Sequence, residues 1–182
     1  MAFFEEGDIE HYQLVRVDAV VSNPPYSQKW DPKNKEHDAR FSDYGIAPRG
    51  TADYAFLLHD LYHLEKDGIM AIVLPHGVLF RGNEEYTIRK NLIEKNNIDA
   101  IIGLPGNIFF GTSIQTLIMV LKRERAETDV LIIDASKGFE KAGKSNRLRS
   151  SEIIRIVDCM RTRAVIPGFS ERVSKERIKE ND

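Results

Sequence analysis

Short apolar runs alternating with helix-like segments predict an α/β fold built on a largely parallel sheet. Three observations carry this. Apolar runs recur at 17–22, 69–74, 98–104, 116–121 and 130–134. Segments 53–66 and 83–95 place their apolar residues at helical spacing. Gly and Pro punctuate the joins between them, as βαβ units require.

The first run, 17–22, has little polar interruption and reads as a strand buried on both faces. Residues 27–52 are polar and rich in Lys, Asp, Gly and Pro, which predicts a long loop of functional or mobile character. Asp53 is placed to cap a helix reaching about Lys66, with Ala55, Phe56, Leu58, Leu61, Tyr62 and Leu64 on its apolar side. Asp67-Gly68 ends that helix, and 69–74 is a strand stopped by Pro75. Asn83 or Glu84 opens a helix to about Lys95; 98–104 is a strand broken by Pro105-Gly106, and 116–121 and 130–134 are two more. Residues 137–150 read as a loop dense in Gly, Lys, Ser and Arg, followed by a helix from Ser151 to about Arg163. The last dozen residues are charged and expected to fray. No internal repeat is present.

The 182 residues suit one domain, or one domain with an appendage. The net charge of −2 argues against whole-surface attraction to nucleic acid, so a DNA-binding role needs a local basic patch or a more basic partner. Cys159 is the single cysteine, which excludes an intrachain disulfide or a cysteine-rich zinc site. The acidic N-terminus lacks the order of a signal peptide, and no apolar run approaches membrane-spanning length. The chain reads as cytoplasmic, with no membrane partner.

The chemistry concentrates at Asn23-Pro24-Pro25-Tyr26, directly after the first strand. Two prolines forbid helix and stiffen the backbone. That rigidity aims the Asn23 side-chain carbonyl and the Pro24 carbonyl the same way. An exocyclic amine offers two N–H donors, and two fixed acceptors take both. Binding them localises the nitrogen lone pair that conjugation otherwise withdraws, so the amine becomes a better nucleophile. Pro25 holds the turn, and Tyr26 supplies a flat face for an extruded base.

From here the resemblance becomes specific. Residues 18–26 (Asp-Ala-Val-Val-Ser-Asn-Pro-Pro-Tyr), 52–59 (Ala-Asp-Tyr-Ala-Phe-Leu-Leu-His), 68–82, 98–105 and 108–111 (Ile-Phe-Phe-Gly) follow, in order, the catalytic domain of the modification subunit of type I restriction–modification systems. The chain resembles its second half, from about Val17 to Arg163. The resemblance implies an N6-adenine DNA methyltransferase using S-adenosylmethionine and acting on DNA beside specificity and restriction subunits. It also implies a doubly wound, Rossmann-like sheet with flanking helices, lacking its first half. On that mapping 1–136 is the C-terminal half of the catalytic domain and 137–182 a basic loop, helix and charged tail. Asn23 and Pro24 hold the target amine and Tyr26 stacks on adenine. Phe109 and Phe110 resemble the aromatic pair across the base pocket, with plain core packing as the alternative. The glycine-rich cofactor turn and ribose-binding acid of such enzymes have no counterpart before Val17. The first strand then presents an unpaired edge, which invites homodimerisation.

Three other patterns compete. Gly138 to Ser145 matches the phosphate-loop pattern G-x-x-x-x-G-K-S. The polar stretch after Ser145 opens no helix, so a solvated basic loop is the favoured reading and a nucleotide-binding protein the second class. A non-enzymatic interaction module is the third. His59-Asp60-Leu61-Tyr62-His63 resembles a zinc helix but has a short acid and no third ligand, and no metal is expected. Of the basic residues, Lys141, Lys144, Arg147 and Arg149, with Lys29 and Lys33 (and Lys35) in the long loop, are the candidates for DNA-backbone contact.

Overall fold

The computed structural model describes residues 14–109 and 112–181. In chain order the elements are β1 (Val17–Ser22), α1 (Asp53–Tyr62), β2 (Leu64–Pro75), a 3-10 turn (His76–Leu79), α2 (Glu84–Glu94), β3 (Ile98–Gly103), β4 (Thr116–Lys122) and β5 (Val130–Asp134). They continue with β6 (Phe139–Ala142), β7 (Ser145–Leu148), α3 (Ser150–Thr162), β8 (Ser170–Val173) and α4 (Lys175–Asn181). Six strands form one sheet in the order β1-β2-β4-β3-β5-β8, and β6 and β7 form a separate hairpin.

The α/β class holds, but the sheet is mixed rather than largely parallel. β1 pairs β2 and β3 pairs β5 in parallel, while β4 runs antiparallel to both β2 and β3. The reason is the connection: no helix lies between β3 and β4, so the chain returns beside β3 in the opposite sense. α1 forms the crossover of the parallel pair β1 and β2, and α2 carries the chain from β2 past the place of β4 to β3.

One face of the sheet carries the main core. Met70, Ile72 and Leu74 of β2 and Leu117, Met119 and Leu121 of β4 meet Leu57, Leu58 and Leu61 of α1 and Ile88 and Leu92 of α2. Each of the fully buried leucines contributes about 1.5–3 kcal/mol. The long loop joins this core through Phe41 and Ala47, so α1 is covered on two sides and its buried set widens to include Tyr54 and Leu57. Trp30 Nε1 donates to Pro48 O at 3.0 Å, and Ala52 N to Gln28 O at 2.8 Å, closing the loop on itself. The opposite face is covered only in part. Ile156 and Cys159 of α3 pack over Ala100, Ile102, Leu131 and Ile133. Among the described residues that face is left open at β1 and the middle of β2, with Val17 and Ile69 exposed and Val21 90% exposed.

Several expectations are corrected here. β1 is half-buried or exposed along its length rather than buried on both faces; it is the sheet's edge, as expected, and no strand lies beyond it among the described residues. α1 ends at Tyr62, not near Lys66, because Leu64 turns into the core as the first residue of β2. Arg16 donates to Tyr62 O at 2.7 Å, placing a cation at that helix end. Gly68 does not stop an element; β2 runs through it. An added Cβ there would lie 3.0 Å from Asp18 O, so the close approach to β1 requires glycine. Asp53 caps no helix end; Ala52 occupies that position. Residues 139–148 are a hairpin instead of loop, and 170–181 form β8 and α4 instead of a frayed tail. The charged tail orders because β8 adds to β5 and Ile178 reaches the core.

The far end of the sheet is locked by charge. Asp99, 3% exposed, accepts from Arg125 at 3.1 Å and Arg163 at 2.9 Å, with Lys122 Nζ at 3.3 Å. Asp129 takes Arg163 at 2.6 Å and Arg172 at 2.5 Å. Arg163, in the left-handed region at φ 51, therefore ties the end of α3 to β3 and to the turn before β5. Arg89 is likewise structural, donating to Val78 O at 3.2 Å and Arg81 O at 2.7 Å.

Candidate functional site

β1 delivers the chain at Ser22 into Asn23–Tyr26, on the carboxyl side of the parallel pair β1 and β2. Pro24 is buried and anchors the turn, while Asn23 and Pro25 are exposed. The Tyr26 hydroxyl donates to Asn23 Oδ1 at 2.8 Å. Burial pushes the Tyr26 phenol above its usual value, so it stays protonated and a donor. An amide oxygen has two lone pairs, so Asn23 Oδ1 retains capacity for a second donor.

β3 and the turn after it bring Phe109 against Tyr26, with ring centroids 6.3 Å apart and planes at 72°. Phe110 lies outside the described residues. An open cavity of about 690 Å³ is lined by Asn23, Pro24, Pro25, Tyr26, Phe109, Thr112 and Ile114. Thr112 and Ile114 drew no attention in the sequence; their place just after the aromatic pair is the signal that could have found them. At 6.3 Å the two rings already touch edge to face. A base takes the Tyr26 face only if Phe109 gives way or the base approaches from the open side.

The hairpin β6–β7 sits beside this pocket. Asn146 N donates to Asn107 O at 2.8 Å, Asn107 Nδ2 to Lys144 O at 2.5 Å, and Asn146 Nδ2 to Gly106 O at 2.6 Å. Gly143, at φ 63, opens the two-residue turn of this hairpin, and Lys144 follows it at the tip. Lys141 and Lys144 are exposed, whereas Arg147 is held by Glu140 at 2.5 Å and Arg149 donates to Phe139 O at 2.9 Å. Lys29 and Lys33 are exposed in the long loop. The phosphate-loop pattern is thereby rejected: Ser145 starts a strand, so no helix N-terminus faces a phosphate.

The histidine pair of α1 has its own chemistry. The His59 and His63 rings lie 4.8 Å apart. His59 Nδ1 meets the Arg40 guanidinium at 3.1 Å and so accepts, and His63 Nδ1 donates to Val15 O at 2.9 Å. Burial first, then His63, lowers the His59 pKa to about 4. The unfolded chain therefore binds the proton between about pH 6.5 and 4 while the fold does not. Stability is retained above that window and falls as pH drops through it. Urea midpoints should decline from pH 6.5 to 4, and His59→Gln should flatten the slope.

Comparison with known proteins places this geometry in a class. The fold is that of α/β methyltransferases: the solved structure of the type I restriction-modification system methyltransferase subunit from Streptococcus thermophilus is 48% identical. It superposes with a TM-score of 0.91 over 97% of this chain and 38% of that one. The chain belongs to the N-6 DNA methylase family, whose profile matches residues 5–182. It is 44% identical over 170 residues to the type I restriction enzyme MpnII methylase subunit of Mycoplasma pneumoniae, covering 91% of this chain and 31% of that protein. It is 36% identical over 180 residues to the MjaVII methylase subunit of Methanocaldococcus jannaschii, again covering 91% and 31%. The chain thus spans about a third of the length of these relatives. Among the described residues no helix is long and apolar enough to cross a membrane.

Proposed function

We propose that this chain is the base-pocket half of an N6-adenine DNA methyltransferase subunit of a type I restriction–modification system, working in the cytoplasm with DNA, a specificity subunit and a restriction subunit. The observation that carries it is the Asn23–Tyr26 turn at a parallel strand's carboxyl end, beside an open cavity with an aromatic floor. Asn23 Oδ1 and the Pro24 carbonyl accept the two amine hydrogens of an extruded adenine, and Tyr26 stacks on its ring. Phe109 closes the pocket on the other side. Residues 1–136 carry this half-domain, and 137–182 add the basic hairpin, α3 and the tail.

S-adenosylmethionine, the methyl donor this family implies, has little to hold it here. The cavity lining offers no charged side chain and no glycine-rich turn for the donor's amino-acid end. The donor's anchors belong to the part of the methylase subunit that this chain does not span. The bare apolar face and free edge of β1 are where that part docks, or where two copies pair in its absence.

Lys141 and Lys144, with Lys29 and Lys33, contact the DNA backbone; Arg147 and Arg149 shape the hairpin that presents the first two. Replacing both Lys141 and Lys144 by Gln should weaken DNA binding across sequences and reduce the salt slope by about 2. A salt titration of binding checks this, and an unchanged slope removes the hairpin from the interface.

The deciding experiment is transfer of labelled methyl from S-adenosylmethionine to DNA. It is run with this chain alone and with the remainder of the subunit plus a specificity subunit. Activity only in the mixture, lost on Asn23→Ala, supports the reading. No activity in a mixture shown to assemble overturns it.

A further inference from the structure

We propose that Asp53, at the start of α1, is a positioning residue for the Asn23–Tyr26 turn: it holds Ser27 in a left-handed conformation and so sets where the turn ends. This rests on the base-pocket reading. The Asp53 side chain is fully buried, an uncommon place for a carboxylate. Its Oδ1 accepts from the Ser27 amide at 2.7 Å and its Oδ2 from Arg81 at 2.9 Å. Both lobes of the charge are therefore matched, as burial demands.

Ser27 is the residue immediately after Tyr26, and its φ is 52. A non-glycine residue is uncommon in that region and persists there only when its surroundings impose it. The Asp53 bond to its amide is such a restraint. Arg81 then braces Asp53 from the far side, since it also donates to Glu85 at 3.0 Å, and Glu85 takes the Thr51 hydroxyl at 2.7 Å. The brace ties the loop after β1 to the loop after β2, the two parallel strands whose ends flank the turn. Further along α1, the Asp60 carboxyl interacts with the Ser22 hydroxyl at the turn's other end. One helix thus grips the turn before Asn23 and after Tyr26.

The consequence is a division of labour. Asn23, Pro24 and Tyr26 meet the base; Asp53 meets none of it and acts through the backbone. Losing Asp53 should misplace the stacking ring and the acceptors by a fraction of an ångström, which lowers turnover far more than DNA affinity.

The test uses the complete methylase subunit assembled with its specificity subunit and carrying Asp53→Asn, Asp53→Ala, Ser27→Gly or Asp53→Ala with Ser27→Gly. Two quantities are read: kcat and KM for methyl transfer to duplex DNA, and amide hydrogen exchange across residues 22–30. Asn keeps one acceptor for Ser27, so it should fall between wild type and Ala. Asp53→Ala should lower kcat about 10- to 100-fold with KM changed less than about threefold, and raise exchange at 22–30 about tenfold or more while 57–61 of α1 stay protected. Ser27→Gly takes positive φ without strain, so in the double variant it should return about tenfold of the lost kcat. General damage to α1 predicts faster exchange at 57–61 and no rescue, which would overturn the proposal. Unchanged exchange at 22–30 in Asp53→Ala would overturn it as well. If the wild-type assembly transfers no methyl yet Asp53→Ala selectively loosens 22–30, the positioning stands and the base-pocket reading falls.

Discussion

Asn23→Ala should abolish methyl transfer by the assembled enzyme, lowering kcat about 10²- to 10³-fold, the usual cost of removing one preorganised polar group at a reacting centre. The fold should not change. Asn23 is exposed, and its recorded side-chain bond is the one it accepts from Tyr26 at 2.8 Å. Circular dichroism and the urea midpoint should match wild type, and DNA KM should move little because affinity comes mostly from phosphate contacts. Asn23→Gln sharpens the result: if Asn23 holds the amine as proposed, the same amide displaced by one methylene should lose nearly as much, because acceptor position rather than presence then sets the amine's geometry. Activity within threefold of wild type in either variant would remove Asn23 from the chemistry.

Asp99→Ala should unfold the far half of the sheet by a comparable margin in stability. It would leave the side chains of Arg125, 1% exposed, and Arg163, 16% exposed, without the carboxylate between them. Stranding buried charge in this way costs about 3–5 kcal/mol, against a total of about 5–15 for a domain this size. Urea denaturation of this chain should show the midpoint fall by about a fifth or more. Glu140→Ala is the contrast. It breaks the exposed pair with Arg147, and such pairs contribute about 0–1 kcal/mol. A loss at Asp99 no larger than at Glu140 would mean the cluster is solvated and carries no stability.

The legible parts of the chain were those where one local rule acts alone. Val130–Asp134 is a strand by its apolar run, and Glu84–Glu94 a helix by spacing and an acidic first turn. The Asn23–Tyr26 turn was legible because paired prolines leave the backbone few options. What sequence reading missed depended on distant partners. β8 forms from a charged segment because β5 offers it a ladder, a gain invisible in its own residues. The hairpin looked like a phosphate loop because Gly143 serves a tight turn and a phosphate cradle equally well; only the docking of Asn146 on Asn107 separates them. Asp53 was expected to cap a helix, which is what an acid before an apolar run does locally. Ser27, 26 positions earlier, claims it instead.

The two ends of the sheet differ in a way that limits self-association. β8 presents exposed Glu171 and Arg172 and pairs antiparallel to its neighbour, while β1, among the described residues, presents an unpaired ladder beside an apolar face. Charged side chains on β8 disfavour strand addition at that end, so a head-to-tail stack is the less favoured arrangement. A contact of β1 with a second β1 across a two-fold axis would use up the ladders of both copies. If the chain self-associates through β1, assembly should stop at two rather than grow into fibres.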